Sequence, residues 1–139
     1  MAVKKATMQQ QVAEAIALIN PADRPLVTLH VAAGPSVWLM SMLGALGQLF
    51  ITPYFITVTE QAVVVHKASR WSNRPQEIAF AIPASQAGGL VSGINRNAIW
   101  SNFRLQLPNQ PKPTRMNVHR IWRAEMDQVL TTLTAQPAV

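Results

Sequence analysis

Residues 54–67 read YFITVTEQAVVVHK, and in this stretch two runs of β-branched and aromatic residues flank a short polar pair. Runs of this kind are typical of strands, and two polar residues between them are typical of a tight hairpin. We therefore predict strands over 54–59 and 62–67, joined at Glu60 and Gln61. The other segments of the fold must pair with this hairpin or cover it.

Further strands are indicated by alternation of apolar and polar residues. Residues 76–83 place Ile78, Phe80 and Ile82 on one face. Residues 99–107 separate Ile99, Phe103, Leu105 and Leu107 from Trp100, Asn102, Arg104 and Gln106. Residues 26–31 and 114–119 predict two shorter strands, and residues 88–93 fit either a weak strand or a loop.

Two amphipathic helices are predicted near the ends of the chain. In residues 7–19, Met8, Val12, Ile16 and Ile19 recur at helical spacing, and Thr7 is a candidate N-cap. In residues 121–134, the corresponding residues are Trp122, Met126, Val129 and Leu133.

Residues 34–51, GPSVWLMSMLGALGQLFI, lie within a window from Pro25 to Thr59 that contains no Asp, Glu, Lys or Arg. As a helix, residues 36–51 would be about 24 Å long, whereas the hydrocarbon core of a bilayer is about 30 Å thick. The large apolar residues are candidates for a membrane or partner anchor: Trp38, Leu39, Leu43, Leu46 and Phe50. Small residues at Ser41, Gly44 and Ala45 form a strip that permits close helix packing.

Three interpretations of this segment remain open. They are a re-entrant membrane element, an oligomer interface in a soluble assembly, and the core helix of a monomer. Basic residues lie on both sides of it, which favours a cytoplasmic location for both ends.

The chain carries 12 Lys and Arg against 6 Asp and Glu, for a net charge of +6, and it has no cysteine. This balance favours acidic partners and excludes disulfides and thiolate chemistry. His30, His66 and His119 lack metal-binding spacing, and no acid–base pair or nucleophile motif is present. We therefore expect a protein that is not an enzyme and that needs no metal or cofactor.

Lys67, Arg70, Trp71 and Arg74 form the richest cluster of basic and aromatic residues. Such residues suit an anionic bilayer, where each basic residue contributes roughly 1 kcal/mol. The alternative is a solvated loop with Trp71 folded back onto the sheet. Nucleic acid is a further candidate, but the few aromatic residues and the long uncharged window argue against it.

The stretch TVTEQAVVVHKASRWSNRPQEIAFAIP (residues 57–83) resembles a pattern in small actinobacterial proteins of the bacterial pleckstrin-homology-like (PH-like) class. The matching positions are Thr59, residues 63–65, residues 69–72, Arg74-Pro75 and residues 78–83. The resemblance implies a curved antiparallel sheet or open barrel closed by a C-terminal helix, with a glycine-bearing apolar segment before the first strand. It also implies a binding or scaffolding module that oligomerises or lies at membranes. The dense lysines of inositide-binding PH loops are missing, so inositide recognition is not implied.

Together these features predict an α+β protein with an N-terminal helix and linker (residues 1–25), an apolar association segment (26–52) and a PH-like domain (53–139). The expected function is a scaffold or accessory protein at the cytoplasmic face of the cell membrane, binding a protein partner or itself as a homo-oligomer. The alternatives are a soluble cytoplasmic subunit that buries residues 34–51 in an assembly, and a module that binds polyanions.

Overall fold

A computed structural model of the chain describes residues 5–19, 23–34, 42, 51–69, 75–83, 89–107 and 110–135. The described chain contains two α-helices and seven strands in the following order: α1 (Lys5–Ile19), β1 (Pro25–Ala33), β2 (Thr52–Thr59), β3 (Ala62–Ala68), β4 (Pro75–Pro83), β5 (Val91–Asn95), β6 (Trp100–Leu105), β7 (Thr114–His119) and α2 (Arg123–Ala135). A single 3₁₀ turn, Arg120–Trp122, connects β7 to α2.

The strands form one curved antiparallel sheet in the order β4-β3-β2-β1-β7-β6-β5, and the sheet does not close into a barrel. This confirms the predicted α+β class and the C-terminal helix. The predicted hairpin is present as β2 and β3. Thr59 stabilises its turn, because its hydroxyl accepts a hydrogen bond from the backbone N–H of Ala62 at 2.9 Å and donates to the Ala62 carbonyl at 3.1 Å.

Strand β1 lies at the centre of the sheet. It pairs with β2 along its whole length, and Ala32 and Ala33 also pair with Asn117 and Met116 of β7. The strand predicted over residues 26–31 is present as β1 and extends to Ala33, inside the range of residues 26–52 that the sequence also favours as an apolar association segment. The apolar stretch therefore follows the first strand instead of preceding it, and residues 35–50 connect two neighbouring central strands.

The inner face of the sheet carries the core. Strand alternation assigns to this face four side chains that have no exposed surface: Leu29, Ile56, Phe103 and Met116. Phe55 is equally buried but lies on the outer face. Helix α2 packs against β1, β2, β5 and β7 and so bridges both halves of the sheet. All four residues predicted for the C-terminal stripe are buried, Trp122 in the preceding 3₁₀ turn and the other three in α2, as is Leu130 of α2.

The outer face of β1–β4 is covered by α1. This helix buries Met8, Val12 and Ile16, as predicted. It begins at Lys5, so Thr7 lies within the helix and does not cap it. Ile16 borders a cavity of about 280 Å³ shared with Val64 and Ala81 of the sheet. Burying one helical stripe against an apolar sheet surface is what holds a short helix in place.

Two predicted apolar positions differ from the alternating pattern. In β4 the register shifts opposite residues 65 and 66, so that Phe80 faces Val65 and Ile78 faces His66. This bulge turns Ile78 to the outer face, where it lines the cavity beside α1, away from Phe80 and Ile82. Ile99 precedes β6 instead of lying within it, and 54% of its surface is exposed.

Candidate anionic-surface site at one end of the sheet

Antiparallel pairing brings several connections to one end of the sheet. At this end β1 finishes at Ala33 opposite the start of β2 at Thr52, and β3 finishes at Ala68 opposite the start of β4. Strand β6 also ends here, at Leu105, opposite the start of β7. The flanks of the apolar segment, the flanks of the predicted basic loop and the β6–β7 turn therefore share one end. We call it the basic end, after its described cations Lys67, Arg104, Lys112 and Arg115.

The chain distributes charge unequally along the strands. Four described cations form ion pairs: Lys5 with Glu125, Arg24 with Glu60, Lys67 with Glu77, and Arg96 with Asp127. The other cations in the described ranges lie at 104, 112, 115, 120 and 123, and no ion pair involves them. Three of these five belong to the basic end.

The carboxylates show the complementary pattern. Of the chain's six Asp and Glu residues, none is on β5, β6 or β7. Asp23 and Glu60 lie at the opposite end of the sheet, beside the start of β1 and in the β2–β3 turn, and Glu125 and Asp127 lie in the first turns of α2. Only Glu77 is near the basic end, on β4.

Arg104 on β6 lies directly opposite Arg115 on β7. Their sequence neighbours Phe103, Leu105 and Met116 are fully buried on the inner face, so the two arginines belong to the outer face. Arg104 is exposed and Arg115 is half-buried. Directly opposed residues have Cβ atoms about 4.5–5.5 Å apart, and like charges on two such residues are destabilising. An anion placed between them would remove that repulsion.

Hydrogen bonds connect this arginine pair to the beginning of the apolar segment. Asn117 accepts a hydrogen bond from Arg115 Nε at 3.0 Å through its Oδ1. Its Nδ2 donates to the carbonyls of Ala32 and Gly34, at 3.1 and 3.4 Å. The backbone N–H of Gly34 donates to the carbonyl of Arg115 at 3.1 Å. The point at which the chain leaves β1 is thus fixed to the strand that carries Arg115.

The sequence-predicted site is only partly within the described residues. Lys67 is exposed at the basic end, opposite Tyr54, but its Nζ lies 3.6 Å from Glu77, so its charge is partly compensated. Arg70, Trp71 and Arg74 lie outside the described residues. So do the predicted anchor residues Trp38, Leu39, Leu43, Leu46 and Phe50 and the strip of Ser41, Gly44 and Ala45.

The pairing of Arg104 with Arg115 was not anticipated. Alternation assigned Arg104 to the polar face of β6, and Arg115 stands next to the inward-facing Met116. Their juxtaposition depends on the register of the β6–β7 hairpin, which the turn 106–113 determines. That turn is eight residues long and contains three prolines, so its length alone does not predict the pairing.

Among the residues that the structure describes, other chemical groups do not form a comparable site. His30 and His66 are strand residues on the outer face, and His119 lies at the end of β7 against Trp100. Within the described ranges, no group of three or more His, Asp or Glu side chains could hold a metal ion. The cavity beneath α1 is lined mainly by apolar side chains, with Asp23 and Gln61 as its polar groups.

No helix in the described part of the chain is both long enough and apolar enough to cross a membrane. Comparison with known proteins finds no matching family model, no matching curated protein and no matching solved structure.

Proposed function

We propose that this protein is a non-enzymatic scaffold of the PH-like class that attaches to an anionic membrane surface through the basic end of its sheet. The remaining surface then binds a protein partner or a second copy of the chain at the cytoplasmic face of the cell membrane. The observation that carries the proposal is the coincidence of two features at one end: unpaired cations and the start of the apolar segment, joined through Arg115, Asn117 and Gly34.

The fold supports the class assignment. The curved antiparallel sheet and the C-terminal helix agree with the architecture that the resemblance implies. The chain has no carboxylate on β5–β7, which removes the usual competitor for a lipid phosphate. An apolar segment next to basic residues also satisfies the requirement for two membrane signals, since a few basic residues alone bind a bilayer weakly.

The first test is sedimentation of the full chain with vesicles of phosphatidylcholine, with and without phosphatidylglycerol. We expect binding only to the anionic vesicles. The double variant Arg104→Gln/Arg115→Gln removes two charges from the basic end and should weaken binding by about tenfold or more, at roughly 1 kcal/mol per charge.

A matched control removes the same charge from the opposite end, in the variant Arg24→Gln/Arg120→Gln. Residues 115 and 120 are separated by five residues of extended or turn structure, about 16 Å, which exceeds the Debye length of about 10 Å at 0.1 M salt. The control should therefore bind nearly as well as the natural chain. Equal losses in the two variants would show that net charge, and not the basic end, determines binding.

The second test concerns the apolar segment. Because Ala33 pairs with Thr52, residues 34–51 can be replaced by an Asn-Gly dipeptide, which suits a two-residue hairpin. We expect this variant to remain folded. Its binding to anionic vesicles should no longer persist at high salt. If the full chain is instead soluble without detergent, ignores anionic vesicles and forms a discrete oligomer that the replacement disrupts, the soluble-assembly alternative is correct.

A further inference from the structure

The arginine pair on β6 and β7 is held in place on both sides. Arg115 is oriented by Asn117, which is itself bound to the backbone of β1 and Gly34. Arg104 lies beside Gly93 of β5, where a Cβ would come within 3.4 Å of the Arg104 Cδ. Gly93 has a φ of +58°, a conformation that favours glycine, so the backbone of β5 leaves room for the stem of Arg104.

The polar surroundings of the pair are neutral. Ser92 lies opposite Arg104 on the other side of β6, and Asn95 donates a hydrogen bond to Asn102 Oδ1 at 3.2 Å. Asn102 in turn lies opposite Asn117. These groups can accept or donate hydrogen bonds, but none carries the negative charge that would neutralise two guanidinium groups. Arg115 is therefore oriented by a hydrogen bond, and neither arginine has a carboxylate partner among the described residues.

The chemistry of guanidinium groups determines which anion suits this arrangement. Each guanidinium presents a planar fork of donors that matches two oxygens of a phosphate. A terminal phosphate group, or phosphomonoester, has three free oxygens and a charge of about −1.5 to −2 near neutral pH. A phosphodiester has a single charge and two free oxygens, so it can satisfy one fork well but not two.

We propose that Arg104 and Arg115 form a binding site for a terminal phosphate group. The proposed membrane function supplies the source of this ligand, namely a lipid with a phosphomonoester head group, and the inference rests on that function. A soluble phosphomonoester offers the same chemistry. The test therefore includes both sources.

The bilayer measurement compares vesicles containing phosphatidic acid with vesicles containing phosphatidylglycerol, adjusted to equal surface charge. We expect at least about fivefold tighter binding to phosphatidic acid, because only a terminal phosphate has enough free oxygens to accept charge-assisted hydrogen bonds from both forks. The key variant is Arg104→Lys/Arg115→Lys, which keeps both charges and removes both forks. It should bind phosphatidylglycerol as the natural chain does and lose the preference for phosphatidic acid.

The solution measurement uses glycerol phosphate and follows the thermal unfolding midpoint. The natural chain should be stabilised by it and the double lysine variant should not. Stabilisation without any vesicle binding would support the phosphate site and refute the membrane function. Binding to phosphatidylglycerol with no preference for phosphatidic acid and no effect of glycerol phosphate would refute the phosphate site and leave the membrane function intact. A preference for phosphatidic acid that survives in the double lysine variant would also refute the phosphate site.

Discussion

His30 on β1 meets Phe55 on β2 edge to face, with ring centroids 5.1 Å apart. The next residue across the sheet from Phe55 is His66 on β3, so the two histidines flank one phenylalanine on the outer face. His66 Nδ1 and Nε2 and His30 Nε2 are buried without a hydrogen-bond partner. Burial lowers the pKa of His30 to about 4 and also lowers the pKa of His66.

This row of neutral imidazoles predicts a loss of stability in mild acid. In the unfolded chain a histidine titrates near pH 6.5, so below that pH the unfolded state binds more protons than the folded state, for His30 down to about pH 4. The stability is therefore fully present above pH 6.5 and decreases as the pH falls below that value, by up to about 1.4 kcal/mol per pH unit for a histidine that stays neutral in the folded state. Urea unfolding at several pH values measures the slope.

The variant His66→Leu shows how much of the pH dependence of stability comes from His66. It removes a titrating group and two unsatisfied nitrogens, so its free energy of unfolding at pH 7.5 should equal or exceed that of the natural chain, and its decrease toward pH 5 should be smaller. An unchanged pH dependence in this variant would show that His66 does not contribute. A large loss of stability at pH 7.5 would show that the imidazole makes an essential polar contact.

The hydroxyl groups of Thr28 and Thr57 lie 3.1 Å apart across β1 and β2, and both residues are buried. Changing either one to valine leaves the other hydroxyl without this partner and should cost about 1–3 kcal/mol of unfolding free energy. The double variant should cost no more than one single change, because both polar groups are then replaced by apolar ones. Additive losses in a double-mutant cycle would contradict this coupling.

Lys5 joins the two helices. Its Nζ donates to Glu125 Oε1 at 3.0 Å and to the carbonyl of Ile121 at 3.1 Å, and it lies 5.7 Å from the ring centre of Trp122. We expect Lys5→Met to lower the free energy of unfolding by about 1 kcal/mol.

Arg24 provides the matched control for Lys5. Its ion pair with Glu60 spans 3.9 Å, and 83% of the arginine side chain is exposed. Exposed pairs of this kind contribute little, so Arg24→Met should change stability by less than about 0.5 kcal/mol. Equal effects of the two substitutions in urea unfolding would show that the contact between α1 and α2 is not a specific one.

Leu130 of α2 is 2% exposed, and Leu18 of α1 is 88% exposed. Leu130→Ala should cost about 2–5 kcal/mol, because it leaves a cavity in the core, whereas Leu18→Ala should stay within about 0.5 kcal/mol. If Leu18→Ala reduces membrane or partner binding without affecting stability, its exposed side chain contributes to an interface.

Local patterns in the sequence predict the strands and helices well. Alternation and helical spacing identify the β2–β3 hairpin and the buried stripes of α1 and α2, because each depends on residues close together in the chain. The position of β1 was not predictable in this way. Its partners include Met116, which is 83 residues away from Ala33, and the largely apolar stretch of residues 34–51 after it obscured its role as a central strand.

The candidate site was predictable only in part. Lys67 stood out because it belongs to a compact run of basic residues, but the structure shows that Glu77 partly compensates its charge. Arg104 and Arg115 are 11 positions apart and become neighbours only through the register of one hairpin. The reversal of Ile78 has a similar origin, since a bulge in β4 interrupts the alternation that placed it with Phe80.

The separation of charge along the strands also has a kinetic consequence. Three of the five unpaired cations at one end, and most of the carboxylates at the other, give the described part of the molecule a permanent electric dipole roughly parallel to the strands. Near any anionic surface, this dipole turns the molecule to approach with Arg104 and Arg115 leading, before contact is made. Association should then accelerate as ionic strength is lowered, while dissociation, which depends on short-range contacts, should change much less.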